Sequence, residues 1–195
     1  MCARSRAGGA QCQSGRVTTY LAFLRAVNLG ATRKFPKDAL RAAVESCGFE
    51  EVATHGNTGN VRFGSGMRSR PRIQEQLERA FLADRGFEVP TIVFSVAEFA
   101  AIAAETARLS AENPGLARHY VYLLKDELDT AQLEAVAAAA SDRGRMVVHG
   151  RVAHALLEPG YEDGVVDPLG AAKHLGVGTN RNATVIAKLA SLWPG

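Results

Sequence analysis

Between Thr18 and Ser95 the apolar residues switch repeatedly between a strand period and a helix period, and the order of the switches narrows the fold to a small set. Over residues 18–28, Leu21, Phe23 and Val27 share one side with Arg25, while Tyr20, Ala22, Leu24 and Ala26 take the other. Both sides are mostly apolar, as expected of a central strand covered on at least one face. From Pro36 the spacing turns helical: Leu40, Ala43, Val44 and Cys47 make one stripe, and Gly48 ends it. Residues 51–55 and 60–63 read as a hairpin about a Gly-rich turn at 56–59. A second helix opens at Ser69 or Pro71, carries Ile73, Leu77, Ala80 and Phe81 on one stripe, and stops at Gly86; residues 89–95 are a fourth strand. Strand–helix–strand–strand–helix–strand is the split βαβ, or ferredoxin-like, order.

The same order starts again further on. Ser95 and Glu98 form a capping-box signature for a helix that ends before Asn113-Pro114-Gly115, a turn cluster that divides the chain. Beyond it come a strand at 119–124 and a helix capped by Asp129, with Gln132 three residues on and a stripe of Leu133, Val136, Ala137 and Ala140. A hairpin at 145–149 and 152–157 follows, then two helical pieces at 168–175 and 182–193, the last turning Val185, Ile186, Leu189 and Trp193 inward. The expectation is an α+β protein of two ferredoxin-like halves, residues 17–112 and 113–195. The second half is degenerate and ends in a helix.

At 195 residues the chain is long enough to bury a real core, and 47% hydrophobic with 22% charged residues is ordinary for a globular protein. A formal charge of +3 without a dense basic stripe makes a nucleic-acid partner unexpected. No segment reaches the roughly 20 apolar residues of a membrane span. Cys2, Cys12 and Cys47 lack zinc-type spacing and cannot all pair, a usage that fits a reducing cytoplasm; Cys47 reads as a small buried hydrophobe. Residues 1–16, rich in Gly, Ser, Ala and Arg, read as a disordered tail, with Val17 as an alternative start. The five histidines show no i, i+4 helical pair; His149 and His154 flank one hairpin, yet no further ligand completes a metal set. No nucleophile elbow, phosphate loop or dinucleotide fingerprint occurs, so neither metal nor cofactor is expected.

What remains unusual is polar. Arg25-Ala-Val-Asn28-Leu-Gly30, His55-Gly-Asn57-Thr-Gly59-Asn60 and Thr179-Asn-Arg-Asn182 each stand where a regular segment begins or ends. With these residues in order, and Pro36 after the first, the chain resembles a bacterial family catalogued as a domain of unknown function (DUF1697). Gly56-Asn-Thr-Gly-Asn-Val61 is similar to that family's Ser-Gly-Asn-Val stretch, and Thr179 to Asn182, with Lys188-Leu189 following, to its Thr-Arg-Asn helix start. The three matches span roughly residues 18 to 193. The resemblance implies two ferredoxin-like halves and no established activity, cofactor or partner. Ala26 stands where the family often has glycine, and Ala183 where it often has tryptophan.

An arginine in an apolar strand is costly unless paired, and a guanidinium grips phosphate or carboxylate in bidentate fashion. Arg25 is therefore either an ion-paired strand-end residue or a ligand fork, with Arg33 and Lys34 as solvated or supporting charges. Asn28, Asn57 and Asn60 either build turns or orient a ligand oxygen. Arg181 sits at an expected helix start, where a positive dipole end disfavours it and a bound anion would relieve it. The leading expectation is a small phosphate-bearing ligand held by Arg25, Asn28, Asn57, Asn60 and Arg181. The alternatives are a metal-free acyl-phosphate hydrolase and an RNA-binding sheet using Phe23 and Phe63.

Overall fold

The computed structural model describes residues 17–28, 32–160 and 167–195, so the expectations for residues 1–16 lie outside the described residues. Strands β1 (Thr18–Leu24), β2 (Glu50–His55), β3 (Asn60–Ser65) and β4 (Thr91–Ser95) form one sheet in the order β2-β3-β1-β4. Strands β5 (Arg118–Leu124), β6 (Gly144–His149), β7 (Val152–Leu157) and β8 (Gly178–Asn182) form a second in the order β6-β7-β5-β8. Every neighbouring pair is antiparallel. Helices α1 (Lys37–Ser46), α2 (Arg70–Arg85) and α3 (Val96–Glu112) precede β5 in the chain, and α4 (Thr130–Ala138) and α5 (Ala183–Leu192) follow it.

The two sheets repeat down to register. Pairing of β1 with β3 runs from Thr18↔Ser65 to Phe23↔Asn60, and that of β5 with β7 from Arg118↔Leu157 to Leu123↔Val152. Tyr20 faces Ser95, the cap of α3, just as Tyr120 faces Asn182, the cap of α5. Even the bonds at the strand ends match: the Leu24 N–H donates to Gly59 O at 2.8 Å, and the Leu124 N–H to Arg151 O at 2.9 Å.

Alternation along β1 and β5 builds three apolar layers. Tyr20, Ala22 and Leu24 pack with Leu40, Val44, Leu77 and Phe81 of α1 and α2 on the outer side of the first sheet. Leu21 and Phe23 face Val121 and Leu123, with Phe99 and Ile102 of α3 and Ile186 and Leu189 of α5 in the same layer. Tyr122 and Leu124 close the outer side of the second sheet with Val136 and Leu175. Each fully buried Leu or Phe contributes on the order of 1.5–3 kcal/mol relative to exposure. Phe23 and Phe63 are wholly inside, so neither offers a ring for base stacking.

Five local expectations need correction. β1 ends at Leu24 rather than at residue 28, because Ala26 and Asn28 adopt left-handed conformations (φ 55° and 57°) that a strand cannot continue. Residues 168–175 are not an α-helix: the Asp167 carboxylate accepts from the Ala171 and Ala172 N–H groups, and only a 3-10 turn, Ala172–His174, follows. Thr179 to Arg181 lie in strand β8 and only Asn182, its last residue, caps helix α5, because the free edge of β5 supplies a pairing partner that local propensity ignores. In α4 only Val136 is buried, Leu133 being 42% exposed. Cys47 is half-buried, a free thiol whose pKa burial pushes up.

Candidate functional site

Arg25 lies just beyond β1, exposed, its backbone N–H donating to Pro90 O at 2.9 Å. The guanidinium makes no hydrogen bond or ion pair among the described residues. Arg181 is its opposite, only 7% exposed and placed on β8 across from Val121. Its Nε donates to Asn60 Oδ1 at 2.7 Å, Nη1 to Thr179 Oγ1 at 2.9 Å and Asn180 O at 2.7 Å, and Nη2 to Thr58 O at 2.6 Å. Every acceptor is neutral. The guanidinium lies 5.8 Å from the Phe23 ring, and burial lowers its pKa to about 10, which leaves it charged at neutral pH. A buried charge without a carboxylate partner leaves a positive potential in its surroundings.

Both arginines line one cleft of about 530 Å³ between the halves. Leu24, Val27 and Thr58 come from the first half, Tyr122, Gly178, Thr179 and Asn180 from the second. The 56–59 turn reaches it because Gly59, at φ +71°, presses on β1: a Cβ there would stand 2.6 Å from the Leu24 Cβ. Asn60 supports from behind. It is 2% exposed, its Oδ1 holds Arg181, and its Nδ2 donates to His55 O and Thr58 Oγ1, both at 3.0 Å.

The two other amides face a neighbouring depression of about 390 Å³, which Lys34 and Lys37 also line. Asn28 Nδ2 donates to Asn57 O at 2.5 Å and to Phe35 O at 3.3 Å, and its Oδ1 accepts from the Phe35 N–H at 2.8 Å. The residue thus ties the loop after β1 to the hairpin turn. Arg33 is fixed as well, donating to Ala26 O at 2.9 Å and Glu88 O at 2.6 Å. Arg25 and Arg181 therefore share a cleft with Asn60 behind it, while Asn28 and Asn57 border the next one. Thr58, Tyr122 and Thr179 escaped the sequence reading. For Thr179 a signal existed in its place two residues before Arg181, on the same face of a strand once β8 is recognised.

With this geometry in place, comparison with known proteins adds ancestry. A family model described as "Protein of unknown function (DUF1697)" matches residues 17–154. The chain belongs to this family. The DUF1697 match includes Arg25, Asn28, Asn57 and Asn60, whereas Arg181 lies beyond it. Among solved structures, the chain is similar to the conserved bacterial protein SP0830 from Streptococcus pneumoniae, with a TM-score of 0.64 and 22% identity over 91% of this chain and 99% of that one. Identity at this level speaks for a shared fold alone. Comparison with curated protein sequences finds no match. No helix among the described residues is long and apolar enough to cross a membrane, and no group of three or more His, Cys, Asp or Glu among them could hold a metal ion.

Proposed function

We propose that this DUF1697 protein binds a small phosphate-bearing anion in the cleft between its halves, and that each half, residues 17–112 and 113–195, is a ferredoxin-like unit. The strand orders β2-β3-β1-β4 and β6-β7-β5-β8 support the second part, since a split βαβ places β1 between β3 and β4. One observation carries the first: Arg181 is a buried cation held only by neutral acceptors, beside a cleft whose rim bears the unpaired Arg25. An anion entering there meets a fork at the rim and a fixed charge in the wall, with Thr179 also among the lining residues. Asn60, Asn28 and Asn57 act as positioning residues, the first by orienting Arg181 and the others by holding the loop that presents Arg25. Because Nδ2 donates to His55 O and Thr58 Oγ1, Oδ1 holds Arg181 and the residue is only 2% exposed, the Asn60 amide is poorly placed to orient water. Binding is therefore favoured over acyl-phosphate hydrolysis. The setting we propose is the cytoplasm, in keeping with the free thiol of Cys47.

Isothermal titration with pyrophosphate tests the reading. Arg25→Ala loses a charge-assisted contact of about 1.5–3 kcal/mol, so its affinity falls more than about tenfold. Arg25→Lys recovers part of it, because a point charge does not reproduce the fork. The exposed position of Arg25 predicts an unchanged melting temperature without ligand. Equal affinity in wild type and Arg25→Ala would remove Arg25 from the site.

A further inference from the structure

In the second half, on the inner face of its sheet, three side chains form a hydrogen-bonded line that the anion cleft does not use. Ser110, near the end of α3, has its Oγ 2.8 Å from His119 Nδ1, and His119 Nε2 is 3.0 Å from His154 Nδ1. The histidines stand on β5 and β7, 6% and 1% exposed, with His119 beside Val121, the residue His154 pairs with across the strands. Ser110 and His119 both open onto a separate cleft of about 370 Å³, which Asn182 and Thr184 at the start of α5 also line. Asn182 Oδ1 accepts from the Thr184 N–H and hydroxyl, at 3.2 and 3.3 Å, which leaves its amide N–H groups without a partner among the described residues.

A nucleophile within reach of a base, the base held by a third group, and a free donor on the same cleft are the parts of a covalent acyl-transfer site. We infer that Ser110, His119 and His154 form a hydrolytic triad acting on small acyl esters, with Asn182 as the donor to the oxyanion. Ser110 Oγ attacks the ester carbonyl carbon while its proton passes to His119 Nδ1. The tetrahedral alkoxide collapses, the bond to the leaving oxygen breaks, and that oxygen takes the proton from His119 as an alcohol departs. Water then attacks the acyl-serine carbonyl and gives its proton to His119. Collapse frees the carboxylic acid and returns the proton to Ser110, so ester and water become acid and alcohol with no other reagent. The line needs one tautomer, His119 carrying its proton on Nε2 and donating it to His154 Nδ1. Burial lowers the pKa of both histidines, that of His154 to about 4 with His119 adding to the effect, so both are neutral and His119 is free to accept a proton at pH 7.

Treatment of the folded full-length chain with a fluorophosphonate, followed by tandem mass spectrometry, tests the assignment, alongside hydrolysis of p-nitrophenyl acetate. The expected result is an adduct on Ser110 and a hydrolysis rate that falls at least about 100-fold in Ser110→Ala and in His119→Gln. His119→Gln keeps a hydrogen-bonding side chain but no base, so the serine that remains also loses its labelling. Nitrogen-15 NMR of the wild type should find His119 Nδ1 unprotonated. No adduct on Ser110 under conditions that label an ordinary serine hydrolase, or hydrolysis unaltered in Ser110→Ala, would overturn the assignment. Because Arg25 and Arg181 take no part, loss of this activity and loss of anion binding separate cleanly.

Discussion

Ala26 illustrates how one residue sets the position of the rim arginine. Its φ of 55° is a conformation that an L side chain adopts at a cost of about 1–2 kcal/mol, and the resemblance to the family places glycine there. The strain is maintained from outside, since Ala26 O accepts from Arg33 Nε at 2.9 Å and Arg33 is in turn held by Glu88 O. Glycine removes the Cβ conflict but enlarges the freedom of the unfolded chain, so the two effects partly cancel. Ala26→Gly should stabilise the fold by about 0.5–1 kcal/mol, measured as a rise in the urea midpoint at constant slope. A loss of stability would mean that the left-handed turn is not strained. Arg25, next in line, was expected inside an apolar strand. The turn at Ala26 instead lifts it out of the sheet, and periodicity cannot register a φ sign change at alanine.

At the scale of elements, pattern was a good guide wherever burial followed it. The stripes of α1 and α2, both capping boxes and both hairpins lay open in the sequence because one face of each element meets the core. β8 was hidden: Gly-Thr-Asn-Arg-Asn has no apolar alternation, and its strand character comes from the edge of β5 alone. With it went the true setting of Arg181, a sheet residue rather than a helix-start residue. His119 and His154 were legible in principle, since each falls on the inward phase of an apolar strand, but nothing in one strand says which residue it meets on the next. Their burial has a consequence for β5 and β7. An unfolded histidine takes up its proton near pH 6.5, while His154 resists until about 4. Between those values the unfolded state binds more protons, so stability is complete above pH 6.5 and falls as pH drops toward 4. His119, His149, Glu105 and Arg108 act on the ring, and Glu105, hydrogen-bonded to Arg108 and held near 2, stays ionised throughout this window. Urea unfolding at pH 7.5 and 4.5 should show a loss that shrinks by about 2 kcal/mol in His154→Leu. An equal loss in both proteins would remove His154 from the account.

Taken whole, the molecule consists of two similar sheets joined through a shared apolar layer, the buried Arg181 and the half-buried Arg151. Arg181 reaches from β8 to the first half at Thr58 O and Asn60, and Arg151 reaches back to Val93 O at 3.0 Å while lying 4.1 Å from the Phe94 ring. Both are lowered to about 10 by burial. Their settings differ in one respect that bears on function. Arg151 has the Glu98 carboxylate 4.0 Å away, whereas Arg181 has only neutral partners and a cleft. The charge of Arg151 is thus answered within the protein, and that of Arg181 is left for a ligand to answer. An amide chemical-shift titration of the nitrogen-15-labelled protein with pyrophosphate examines this directly. Saturable shifts centred on Arg25, Thr58, Thr179 and Arg181, from both halves at once, are expected, and in Arg25→Ala they should need more than about tenfold more pyrophosphate to saturate. Shifts confined to the Lys34 and Lys37 depression, or to the cleft at Asn182 and Thr184, or none at millimolar pyrophosphate, would contradict this reading.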